Sequence, residues 1–113
     1  MTIPAVLFAV AAVGGLVLAV QRLRGEPRPS LPLALVHGLF AAAGLLALAL
    51  AVLGADEASG LAQAALIGFL VSALGGFVLF ATHLQKKALP IPLMVVHALV
   101  AVAAFGMLLV VVI

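Results

Sequence analysis

The 113-residue chain contains no cysteine, no tryptophan and no tyrosine, and only 7% of its residues are charged. Without cysteine there is no disulfide, thiolate metal site, iron–sulfur cluster or thioether-linked haem. Five Lys and Arg against three Asp and Glu leave a net charge of +2, too little basic surface for a nucleic-acid partner. No nucleophile–base–orienter set, carboxylate pair or phosphate loop can be built from so few polar groups, so the chain is not expected to be an enzyme by itself. What is present is apolar: 68% of the residues, with a mean hydropathy of +1.53. A soluble domain is about half apolar and a quarter charged. A chain this short cannot bury so much apolar surface in one core, so part of its solvent must be the lipid bilayer.

Four runs are long enough to cross a membrane as helices, at about 20 apolar residues each: Ile3–Gln21, Leu31–Leu53, Leu61–His83 and Ile91–Ile113. Between them lie a basic, proline-rich connection (Arg22–Ser30), an acidic one (Gly54–Gly60) and a second basic one (Gln85–Pro90). Backbone groups in lipid must be paired within the protein, and period-2 alternation is absent, so helices are expected rather than a barrel. The fold class is an all-α membrane protein, an up-down-up-down bundle of four transmembrane helices. Every Lys and Arg lies in the first or third connection (Arg22, Arg24, Arg28, Lys86, Lys87), and Asp56 and Glu57 lie in the middle one. The positive-inside rule then makes both basic loops cytoplasmic and both termini periplasmic or outside. The first span, with no basic residue before it, does not read as a signal peptide. Usage of Ala, Leu and Val points to a bacterial inner membrane.

The chain also repeats itself. Phe8–Leu23 matches Phe69–Leu84 at eight of sixteen positions, including Gly14-Gly15 against Gly75-Gly76. Pro32–Leu50 matches Pro92–Val110 at eight of nineteen, including Pro-Leu-x-x-Val-His in both. We therefore read residues 1–113 as a single membrane domain of two duplicated helical hairpins, repeat one about 1–53 and repeat two about 61–113. A hairpin returns to its starting side, so the two copies are parallel, about a pseudo-two-fold axis along the membrane normal.

The duplicated histidines, His37 and His97, each follow a helix-opening proline by five residues, which sets both about 7–8 Å into the span on parallel helices. An ionisable residue in the bilayer usually has a partner or a job, and no intramembrane acid or second base is available. Small residues (Ala34, Ala41, Gly44; Ala101, Ala104) surround them, and Gly14-Gly15 and Gly75-Gly76 fall at a similar depth on the other helices. Two readings stay open: helix–helix hydrogen bonding, or ligation of a flat apolar group by two imidazoles. Another metal or a proton relay is a third. Packing alone accounts for Gly44 and Gly106. Arg22 and His83 lie two turns beyond Gly15 and Gly76. They are repeat equivalents placed to meet propionates or a lipid phosphate, although the basic residues serve topology first. Met94 reads as core, Ser72 as bonding the carbonyl four residues earlier, and Asp56 and Glu57 as solvated.

In layout the pattern resembles the membrane b-type cytochromes, in which histidines on the second and fourth helices of a four-helix core hold haem and glycines on the first and third let the ring pack closely. The resemblance implies haem b between helices 2 and 4, with His37 and His97 as iron ligands and Gly14, Gly15, Gly75, Gly76, Arg22 and His83 around the cofactor. With one histidine per ligand helix, where the dihaem family has two, at most one haem is expected. The function implied is electron transfer or redox sensing, with a membrane or cytoplasmic redox partner or quinone. A structural or assembly subunit of a membrane complex, or a homo-oligomer, is the alternative. A small proton-coupled transporter is a further one: length and span number resemble the small multidrug resistance family, but the membrane-embedded Glu and functional aromatics of that family are missing.

Overall fold

Four helices account for nearly the whole of the computed structural model, which describes residues 1–113: α1 (Thr2–Leu23), α2 (Leu31–Gly54), α3 (Gly60–Leu84) and α4 (Ile91–Val112). At 1.5 Å per residue they run about 33–38 Å, enough to cross the hydrocarbon of a bilayer. All four are long and apolar enough to span a membrane. Their bounds follow local chemistry. The Ser30 hydroxyl accepts from the Leu33 amide and the Ser59 hydroxyl from the Ala62 amide, capping α2 and α3. Pro32 and Pro92 lie in the first turns of α2 and α4, where a missing amide hydrogen leaves no bond unmade.

Consecutive helices are antiparallel neighbours, and α4 closes the ring against α1, so α1 and α3 are diagonal, as are α2 and α4. Packing is tight within the pairs α1–α2 and α3–α4 and sparser between them. The outer faces carry Leu16, Leu39, Leu74, Phe77, Val102 and many other exposed apolar side chains, a surface far larger than a water-facing monomer tolerates. The chain is an integral, multi-pass membrane protein in contact with lipid.

Side chains are fully enclosed mainly in the half nearer the acidic connection. There Leu48, Val52, Ala62, Ala65, Ala104 and Leu108 form one cluster with Ala5, Phe8 and Phe69. Phe8 of α1 and Phe69 of α3 stack face to face across the diagonal, with ring centroids 3.7 Å apart. Gly44 makes room for this stack: a Cβ there would stand 3.2 Å from the Phe8 ring. Gly106, by contrast, touches no neighbouring helix, so close packing explains Gly44 but not Gly106. At the basic end a smaller cluster of Leu79, Leu89 and Met94 closes the bundle. Here the two basic connections are tied together, the Leu89 amide donating to the Pro27 carbonyl and Arg22 Nε to the Leu89 carbonyl.

Candidate functional site

Between the aromatic stack and the basic end lie His37 and His97. The diagonal placement of α2 and α4 turns both imidazoles inward at one level, with ring centroids 6.4 Å apart and ring planes 84° to each other. Each ring is anchored in the same way. His37 Nδ1–H donates to the Ala11 carbonyl on α1 at 2.7 Å, and His97 Nδ1–H donates to the Ser72 carbonyl on α3 at 2.7 Å. A carbonyl only accepts, so Nδ1 carries the proton in both rings, and in the neutral imidazole Nε2 is left with a bare lone pair.

The glycines make these bonds possible. In a helix the carbonyl of residue i points toward residue i+4, and a side chain there shields it from a neighbouring helix. Gly15 lies four residues after Ala11, and Gly76 four after Ser72. A Cβ at Gly15 would come to 2.9 Å from His37 Cε1, and one at Gly76 to 3.1 Å from His97 Cε1. Only glycine lets each imidazole lie against the backbone and reach the carbonyl. Gly14 and Gly75 differ, since a Cβ at either would meet its histidine at 3.5–3.6 Å, an ordinary contact. The structure thus brings His37, His97 and both glycine pairs together, but gives the close approach to the second glycine of each pair.

Ser72 departs from expectation. Its hydroxyl donates to the His97 carbonyl on α4 at 3.3 Å and lies 3.1 Å from His97 Nδ1, rather than bonding the carbonyl four residues earlier in its own helix. The neighbouring helix offers a polar group at the right height, and that partner wins. Ala11 occupies the matching place beside His37 and has no hydroxyl, so the two histidines share a backbone anchor and differ in side-chain support.

Seven-residue steps carry each face from floor to rim. Phe8, Gly15 and Arg22 follow one another on α1, and Phe69, Gly76 and His83 on α3. At the rim, Arg22 and His83 are half-buried, and Arg22 Nε is committed to the Leu89 carbonyl. Met94 is buried beside Leu79, and Asp56 and Glu57 are exposed in the loop before α3. Gly14, Gly15, Gly75, Gly76, Ala41, Ala101 and both histidines are only half-buried, in contrast to the closed layer beneath them. Sequence reasoning did not single out Ala11 or the phenylalanine stack. The available signal was the step of four back, or seven back, from each second glycine. Comparison with protein-family models, curated proteins and solved structures finds no match to this chain.

Proposed function

We propose that the protein binds one b-type haem between α2 and α4, held by His37 and His97, and serves electron transfer. The observation that carries this reading is the geometry of the histidine pair. The ring centroids are 6.4 Å apart, a spacing at which the two imidazoles would be able to share one metal ion. Metal-bound histidines almost always donate the second ring N–H to a carbonyl, carboxylate or water, fixing tautomer and orientation. Ala11 and Ser72 play that part here, on opposite sides of the bundle.

The donor set selects among metals. No group of three or more His, Cys, Asp or Glu gathers anywhere in the bundle. A bare zinc ion would therefore lack about half of its usual four ligands. Haem iron would ask the protein for His37 and His97 alone, and an apolar macrocycle would suit the apolar residues around the pair. Arg22 and His83, above the second glycines, supply the cationic and hydrogen-bonding rim that propionates favour. When bound, haem supplies a one-electron couple. With both histidines as ligands, the group would serve electron transfer rather than binding of a gas. The protein's share would be to hold the two rings by their Nδ1–H bonds to the Ala11 and Ser72 carbonyls, which would leave Nε2 of each neutral ring free to ligate.

The test is an absorption spectrum of protein purified in detergent from haem-replete cells, oxidised and dithionite-reduced. The expected result is a Soret band with sharp reduced α and β bands, all lost in the His37→Ala/His97→Ala double variant. A flat visible spectrum overturns the haem. The histidines would then be locks between helices, within a structural subunit.

A further inference from the structure

The basic end of the bundle is a built surface. The connection after α1 and the connection after α3 are joined by the bond from the Leu89 amide to the Pro27 carbonyl, and Arg22 Nε binds the Leu89 carbonyl from below. Pro29 and Leu89 are buried in this junction, while Arg24, Arg28, Lys86 and Lys87 remain exposed around it with a single acid, Glu26, among them. One of these cations is held at a cost. Lys86 stands at φ 59°, the left-handed position that ends α3, whereas the corresponding position after α1 is Gly25 at φ 103°. A side chain in that conformation is disfavoured by roughly 1–2 kcal/mol relative to glycine. The fold thus carries a lysine where glycine fits the backbone better.

This surface is also the near side of the histidine pair. Six residues separate His37 from the start of α2 and His97 from the start of α4, about 9 Å of helix rise. Toward the acidic connection the path is about 22–25 Å, and it passes the Phe8–Phe69 stack and the closed apolar cluster. Electron tunnelling falls exponentially with distance, so exchange at the basic end is strongly favoured over exchange at the other.

From the joined loops, their exposed cations and the short path to the imidazoles, we propose that the basic end is the docking face for a redox partner protein bearing an acidic surface. This rests on the haem reading above and adds the side and the charge of the partner. Complementary charge speeds encounter and loses its effect as salt is raised. A neutral, quinol-like reductant from within the bilayer would feel neither.

The experiment uses the purified haem protein in a neutral detergent, pre-reduced, with oxidation followed by stopped flow. Two small oxidants of opposite charge, ferricyanide and tris(phenanthroline)cobalt(III), serve as probes. At low salt the Arg28→Glu/Lys87→Glu variant should be oxidised about tenfold more slowly by ferricyanide and faster by the cobalt complex. Both changes should shrink as salt is added, and Asp56→Lys/Glu57→Lys at the far end should leave both rates unchanged. Normal haem spectra with rates indifferent to these substitutions overturn the docking face alone, as do equal effects from the far-end variant. Protein without a Soret band overturns the haem reading and this inference together.

Discussion

At the residue scale, the two imidazoles and the two glycines beneath them form one unit used twice. The carbonyls of Ala11 and Ser72 orient the rings, and the missing side chains of Gly15 and Gly76 admit them. Gly15→Ala and Gly76→Ala should each force an imidazole off its carbonyl, destabilising the protein by about 1–3 kcal/mol and, if the pair holds haem as proposed, lowering haem content. Under the same reading Gly14→Ala and Gly75→Ala should leave haem content close to that of the parent, because their new methyl groups would sit at ordinary contact distance. Pyridine-haemochrome measurement on the four variants checks the contrast. The ring planes give a second prediction. They stand at 84° to each other. If the pair holds haem iron as proposed, imidazoles in that relation would leave its π-bonding orbitals nearly degenerate, and the oxidised protein should show a strongly anisotropic low-spin electron paramagnetic resonance signal at low field. A well-resolved rhombic triplet would contradict the perpendicular arrangement. The histidine pair itself was legible in the sequence: His37 and His97 stand out as duplicated ionisable residues in apolar runs. The choice of the second glycine in each pair and the partner of Ser72 were not legible. Both depend on the height and rotation of one helix against another, which a single helix does not encode.

At the element scale, α1 and α3 end in the same device. After α1 the Gly25 amide donates to the Arg22 carbonyl and the Glu26 amide to the Gln21 carbonyl. After α3 the Lys86 amide donates to the His83 carbonyl and the Lys87 amide to the Thr82 carbonyl. This pattern satisfies carbonyls left open by the last turn and needs a left-handed residue just past the helix. Gly25 takes that conformation freely and Lys86 does not. Lys86→Gly should therefore stabilise the protein by about 1 kcal/mol, read as a higher midpoint of detergent-induced unfolding, with an unchanged midpoint or a loss counting against backbone strain at this position. Helix extents were almost wholly legible. The expected spans and observed helices differ by at most two residues at any end, because serines, prolines and charged loops punctuate the apolar runs. At the start of α3 the cap is Ser59. A hydroxyl next to the first turn reaches the Ala62 amide, and the acids lie too far back in the loop to do so.

At the scale of the whole molecule, the four spans and their antiparallel order follow from the run lengths and the short connections alone. The diagonal relation of α2 to α4 is seen in the packing. What the sequence did not disclose is how unevenly the bundle is filled. Close packing lies within each antiparallel pair, while the pairs meet more sparsely, in the apolar cluster around the Phe8–Phe69 stack and at the joined basic loops among other places. Every helix is apolar nearly all round, so no amphipathic stripe marks which face meets which neighbour. The internal anchoring of the histidines also bears on how such a chain is made. The partner of His37 is Ala11, synthesised earlier in the same pair of helices, and the partner of His97 is Ser72 in the later pair. As each pair leaves the ribosome and passes sideways into the bilayer, its most polar buried donor is already satisfied. Neither half must wait for the other before entering lipid, and their meeting can be a late, lateral event within the membrane plane.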